Sequence, residues 1–354
     1  MDLSDFIVVV PSADPTTAAW SHDQRELAAD ATLGERVRFA LGFAILAPSI
    51  RNTQPWRFTL AADGDAAVVT LACERARVLA VADPEGRAAT LSCGAALECL
   101  TLSLAHLGVA HEVALTPAPG LLARITCRAS TRPITQVPED MWMSQAIPKR
   151  RSSRAPMADR PVSDKLTARL VAVAEATGAR LLPLPPGDPR RATLVALIDA
   201  GERAQQADPA FRAELADWTD AEARRHDGLR VEAGGRTFLW RDGDDAPPRP
   251  ARGEELERGS PLLAILTTPG DATLDHLHAG RALARVMLRG RVDHLWVGLF
   301  GQPIEQPELR ARLQTALALP GFPQAALRLG HGGDGPPTPR RPLADVLVDA
   351  SPAP

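Results

Sequence analysis

Residues 47–56 read Ala47-Pro48-Ser49-Ile50-Arg51-Asn52-Thr53-Gln54-Pro55-Trp56. Upstream of them, Leu27, Leu33, Val37, Leu41, Ala44 and Ile45 recur near the 3.6-residue period and predict a helix over 23–46. Pro48 stops that helix, because its ring clashes with the preceding turn and it has no N–H to donate. Ser49 and Asn52 are residues that bond neighbouring backbone in turns. Pro55 then imposes an extended entry into a strand beginning at Trp56. The turn gathers a hydroxyl and two side-chain amides at one helix terminus, a donor–acceptor set that suits the edge of a flat heteroaromatic ligand. The same residues also make an ordinary well-capped helix-to-strand loop.

Outward from this turn, helical and strand periods interleave. Strands are predicted at 56–61 and 67–72, then a turn at Asp83-Pro84-Glu85-Gly86. A nearly all-apolar helix follows over 87–107, ended by Gly108, and such a helix belongs inside a protein. Strands at 109–115 and 121–128 close a first half, 1–140. Residues 129–150, with Pro133, Pro138 and Pro148, read as a connector. The second half, 141–354, carries helices near 163–177, 189–206 and 208–225, a strand at 261–267 and a helix at 272–290. A strand at 292–300, a helix at 306–318, a strand at 324–330 and a Pro-rich extended tail complete it. Residues 226–260 combine glycine, proline and charge, including Phe238 and Trp240, and read as a lid or an insertion. Most strand-to-strand intervals are too short for a crossover helix, so the class is α+β. The order of elements in the first half is loosely echoed in the second, as a duplication would produce.

Composition narrows the functions. The chain has 354 residues, 45% hydrophobic and 23% charged, with a formal net charge of −3. That balance does not fit a nucleic-acid binder acting through bulk charge. The sequence has no run of about 18 consecutive apolar residues and no basic leader, so it reads as a soluble cytoplasmic protein. Lysine occurs only at Lys149 and Lys165, which leaves arginine as the working cation, and tyrosine is absent, which removes any tyrosine acid or nucleophile. The four cysteines form no C-x-x-C pair, so zinc and thiol-redox readings find no support in spacing. His276 and His278 are two apart, the wrong spacing for two ligands on one helical face.

The decapeptide A-P-S-x-x-N-x-Q-P-W resembles the flavin-contacting loop of the nitroreductase superfamily. Its seven specified positions would recur by chance at roughly one in 10⁸. Three further segments are similar to superfamily motifs. Arg150-Arg151-Ser152-Ser153-Arg154 resembles the R-x-S-x-K/R segment that grips FMN. Gln302-Pro303-Ile304-Glu305-Gln306 resembles P-I-E-G, whose backbone lies over the flavin, with Gln306 in place of the glycine. Leu327 to Gly332 followed by Arg340-Arg341 resembles the C-terminal strand and its phosphate grip. The likeness runs along most of the chain and is closest to the double-length Acg-like branch, in which one polypeptide mimics a homodimer.

That resemblance implies an FMN site assembled from both halves. Pro48, Ser49, Ile50, Asn52 and Gln54 come from the first, and Arg150, Arg151, Ser152, Arg154, Pro303, Ile304, Glu305, Arg340 and Arg341 from the second. A backbone N–H near Glu305 is expected to face flavin N5, and Arg154 the pyrimidine side. The first half has no R-x-S-x-R before its first helix and the second has no A-P-S-x-x-N, so one flavin per chain is expected. The implied function is an FMN-dependent oxidoreductase in which the flavin carries the hydride. NAD(P)H and a small molecule are its reaction partners, and the chain is a monomer or loose homodimer. The alternative is a flavin-sequestering protein whose lid keeps NAD(P)H away.

Overall fold

The computed structural model describes residues 14–129, 137–153, 157–220, 225–230, 259–333 and 335–350. Two sheets, each backed by a 20-residue helix, organise them. The first half contributes α1 (Leu33–Ala44), β1 (Trp56–Asp63), β2 (Ala66–Cys73), α2 (Arg87–His106), β3 (Ala110–Ala114), β4 (Ala123–Arg128) and α3 (Pro138–Ala146). The second contributes α4 (Asp164–Glu175), β5 (Arg180–Leu184), α5 (Arg190–Ala207), α6 (Pro209–Asp217), β6 (Thr219–Asp220) and β7 (Leu229–Arg230). It continues with β8 (Leu262–Thr268), α7 (Thr273–Val292), β9 (Trp296–Phe300), α8 (Gln302–Glu305), α9 (Pro307–Ala316) and β10 (Phe322–Gly330). The chain closes with α10 (Leu343–Val346) and β11 (Leu347–Asp349).

One sheet has the order β11-β1-β2-β4-β3 and the other β5-β8-β10-β9. The last strand therefore leaves the second half and runs parallel to β1, pairing Phe58 with Leu347 and Leu60 with Asp349. The tail is thus not merely extended. It crosses the first-half loop on its way to that strand, and this crossing builds part of the site.

The sequence places most elements correctly and misplaces several boundaries. The first helix begins at Leu33, ten residues later than its periodicity suggests, because Thr32 and Glu35 form a capping box there. The 129–150 connector contains α3, with Pro138 at its first turn, where a missing N–H costs nothing. The edge strand β5, which pairs with β8, gives no alternating signal because it carries Pro183. The helix expected over 208–225 ends at Asp217. Of the 226–260 segment, residues 231–258 lie outside the described residues.

Helices α2 and α7 make the closest contact between the halves. A Cβ at Gly280 would stand 1.9 Å from Leu91 O, and one at Gly94 would stand 2.4 Å from Leu277 O. Two glycines thus let the backbones touch. Helix α2 is long and apolar enough to cross a membrane, and 89% of that window is buried inside the protein. Beside the crossing, Glu98 is fully buried and accepts from Arg281 Nε at 2.7 Å and Arg285 Nε at 2.6 Å. Arg285 also pairs with Asp140 at 2.9 Å, and Arg289 with Asp293 at 2.6 Å.

Candidate functional site

The decapeptide turn is a strained loop. Ser49 precedes a single 3-10 turn, and Arg51, Asn52 and Gln54 have φ of 43°, 56° and 50°. These are three of the five non-glycine residues with positive φ among the described residues. Left-handed backbone costs a side-chain-bearing residue about 1–3 kcal/mol, so it persists only where the surroundings enforce it. The enforcement is visible. Ser49 Oγ accepts from Gln54 N at 3.0 Å, and Ser92 Oγ of α2 accepts from Ile50 N at 3.2 Å. Asn52 Nδ2 donates to Gly228 O at 3.1 Å and Pro339 O at 3.0 Å. Gln54 Nε2 donates to His226 O at 2.8 Å, while its Oε1 accepts from Arg341 N at 2.8 Å. The two amides therefore splint the loop to the 226–228 segment and to the crossing tail.

Against this loop lies a cavity of about 210 Å³. Its wall joins both halves: Pro48, Ser49 and Ile50 with α2 on one side, Ser152, Ile304 and Glu305 on the other. Asn52 and Gln54 stand behind the wall in their splinting role. Pro303 is buried beside it as the second residue of α8. Arg154 lies outside the described residues. The segment preceding it runs along β9, where Ser152 bridges Val297 and Ser153 N donates to Val297 O at 2.9 Å.

The arginines expected to act together divide into two kinds. Arg150 and Arg340 are 3% exposed and converge on one carbonyl, donating to Leu46 O at 3.1 and 3.3 Å. Arg340 also donates to Asn52 Oδ1 at 2.9 Å and to Ala47 O at 3.2 Å. Arg150 reaches Ser152 Oγ in the cavity wall at 3.4 Å. The Nε atoms of Arg150 and Arg340 are buried without a hydrogen-bond partner, and neither side chain makes an ion pair among the described residues. Burial pushes Arg150 down to about 10. Burial, with repulsion from Arg150 and Arg151, holds Arg340 well below the ordinary guanidinium range. Trp20 closes the cluster, its ring centroid 5.7, 3.8 and 4.5 Å from the guanidinium carbons of Arg150, Arg151 and Arg340. Arg341 differs: it pairs with Glu74 at 3.0 Å and donates to Gln54 O at 3.2 Å, so its charge is already answered.

Two expectations about the Pro303–Gln306 segment change. The Ile304 and Glu305 N–H groups both donate to Gly301 O at 2.8 Å, so the turn of α8 engages the backbone donor expected to be free. Gln306, in place of glycine, has φ −102°, an extended backbone open to any residue. The close approach falls at Gly301 instead, where a Cβ would stand 2.0 Å from Glu305 Oε1. The Glu305 carboxylate accepts from Gln205 Nε2 at 2.8 Å and Arg51 Nη2 at 3.4 Å. Burial raises its pKa, partly opposed by Arg51.

Sequence reading passes over several wall residues. Arg51 sits at an unspecified position of the decapeptide, yet is 8% exposed, pairs with Glu214 at 3.0 Å and covers the Phe211 ring at 4.4 Å. Its signal was only its place inside the motif. Arg87 and Gln324 also line the cavity; the sole hint of Arg87 is its position after the 83–86 turn. Gln205 and Phe211 come from helices of the second half that carry no motif.

Comparison with known proteins agrees with this architecture. No protein-family model matches the chain. A Mycobacterium tuberculosis protein named as an NAD(P)H nitroreductase is 31% identical over 337 residues, covering 88% of this chain and 91% of its own length. Acg of the same organism, also named as an NAD(P)H nitroreductase, is 28% identical over 324 residues, covering 88% of this chain and 95% of its own. An Anabaena variabilis protein named as a nitroreductase shares the fold across 92% of this chain and 93% of its own, with a TM-score of 0.54 at 12% identity. With full-length relatedness above 30% identity, a matching fold and motifs that meet at one cavity, the chain belongs to the nitroreductase family.

Proposed function

We propose that the cavity and the adjoining arginine pair hold one FMN per chain, and that the protein is an FMN-dependent oxidoreductase using NAD(P)H. The observation that carries this reading is the pair itself. Arg150 and Arg340 are buried side by side, with orphaned Nε atoms and no carboxylate partner among the described residues. Burying a charge without compensation costs several kcal/mol, and a phosphate dianion beside Arg150 and Ser152 supplies that compensation through charge-assisted bonds. Arg150 and Arg340 would hold the phosphate, and the wall formed by Pro48–Ile50 and Ile304–Glu305 would hold the ring. The name NAD(P)H nitroreductase that the two mycobacterial relatives carry supports this reading.

When bound, FMN supplies the hydride-transfer chemistry. The protein's own residues set the geometry around it. Asn52 and Gln54 hold the strained loop in register, Glu305 is fixed by Arg51 and Gln205, and Phe211 and Leu229 keep the wall apolar. Segments of both halves line this composite wall, and the complementary set of motifs is missing from each half, which supports a single site in a chain arranged as a pseudo-dimer.

The sequestering alternative draws support from one feature. Leu229, at the end of the described 225–230 segment, lines the cavity, and Leu79, Ala82, Phe211 and Leu215 pack with it into a small apolar cluster over one wall. Purified protein should be yellow, and anaerobic NADH or NADPH should bleach it within seconds. A flavin that only dithionite reduces would favour sequestration, and a colourless folded protein that refuses added FMN would reject both.

A further inference from the structure

The cavity has a second cation without an ion pair among the described residues, at the end away from the arginine pair. Arg87, the first residue of α2, lines it and is partly buried. Cys99, which lies near Arg150 and Arg340, is twelve residues further along the same helix, or about 18 Å at the helical rise. One phosphate cannot serve both positions.

Asp83, Asp271 and Glu305 lie near enough to favour the charged form of Arg87, but none of them forms an ion pair with it among the described residues. Arg51 is held between Glu214 and Glu305. Asp271 is occupied by Arg310 at 2.6 Å and His276 at 3.0 Å. Asp83 turns back onto the helix, accepting from Ala88 N at 2.9 Å and Ala89 N at 2.8 Å. Arg87 itself is left with neutral oxygens: its Nη1 donates to Gln324 O at 2.9 Å and Gln324 Oε1 at 3.1 Å. Gln324 is anchored in turn, its Nε2 donating to Thr268 Oγ1 at 2.8 Å and Asp271 Oδ1 at 3.0 Å. The guanidinium is therefore held by one nitrogen, while Nε and Nη2 donate to no described residue. Such an edge matches a carboxylate in the two-bond geometry that arginine favours.

We propose that Arg87 is a specificity residue and that the acceptor this site prefers is a small planar molecule bearing a carboxylate, which Arg87 engages at the end of the cavity remote from the FMN phosphate. The proposal rests on the oxidoreductase reading for its kinetics but not for its binding test. The FMN-loaded full-length protein, wild type, Arg87→Gln and Arg87→Lys, is compared on 4-nitrobenzoate and on methyl 4-nitrobenzoate, its neutral isostere. Calorimetry measures benzoate binding to the oxidised protein separately.

Wild type should favour the carboxylate. Arg87→Gln should lower that preference, as the ratio of kcat/KM values, by about 10–100-fold, the value of one charged hydrogen-bonded contact. Arg87→Lys should recover part of it. Benzoate affinity should fall by a similar factor while FMN content stays at one per chain. An unchanged ratio, or equal benzoate binding by wild type and Arg87→Gln, overturns the proposal. Loss of FMN from both variants also overturns it, because Arg87 then belongs to the cofactor. Arginine-dependent benzoate binding in a protein that neither nicotinamide donor reduces would uphold the subsite and reject the reductase reading.

Discussion

Two groups of arginines are buried where the halves of this chain meet, and they are built on opposite principles. Around Glu98, the guanidiniums of Arg281, Arg285 and Arg289 are met by Glu98, Asp140, Glu139 and Asp293. Around Trp20, Arg150 and Arg340 are met by carbonyl oxygens, an amide, a hydroxyl and an aromatic face, with no carboxylate among the described residues. Burial penalises both groups, and only the first is neutralised from within the described residues. A charge answered by the chain itself is a structural lock. A charge left for something else to answer marks a binding site.

The largest effect should come from the unanswered pair. Replacing both Arg150 and Arg340 with alanine removes two charged contacts worth about 1.5–3 kcal/mol each, so FMN affinity should fall by roughly 10²–10⁴. Fluorescence titration of the refolded apoprotein reads this directly, and a loss below tenfold would erase the contrast between the groups. The neutralised group should behave in the reverse way. Glu98→Ala leaves Arg281 and Arg285 facing a buried carboxylate's former place, and should lower the unfolding free energy by about 3 kcal/mol. That is the low end for a broken buried pair, because side-chain exposure of 22% and 16% lets water screen the two arginines. Urea unfolding measures the loss, and FMN affinity of the folded fraction should stay within about threefold.

Two smaller changes sharpen the comparison, one beside the lock and one away from both groups. Gly280→Ala forces a Cβ to within 1.9 Å of Leu91 O and should destabilise the helix crossing by about 1–3 kcal/mol, the usual range for overpacking. Thr32→Ala removes the capping box of α1 and should cost about 1 kcal/mol. Unfolding curves should resolve both, the second with no change in flavin content.

The element order and the class were legible in the sequence, because period and turn residues report local structure. What escaped was set by tertiary partners. β5 forms because β8 offers it an edge, and β11 exists because the crossing tail meets β1. The same division holds at the site. The motifs located Pro48–Ile50, Ser152 and Ile304–Glu305 in the wall. They did not show that Asn52 and Gln54 brace the loop, that Arg341 is matched by Glu74, or that Arg51 and Arg87 face the cavity. Motif letters record which residues matter, whereas the direction each side chain takes depends on elements far away in sequence.

The most direct test is the ratio of riboflavin to FMN dissociation constants, measured on wild type and on Arg340→Ala. The two ligands share the ring system and differ in the phosphate. Wild type should bind FMN at least about 100-fold more tightly than riboflavin, at one per chain, and Arg340→Ala should shrink that ratio about tenfold or more. Equal affinity for the two ligands in wild type would contradict the assignment of the buried arginine pair.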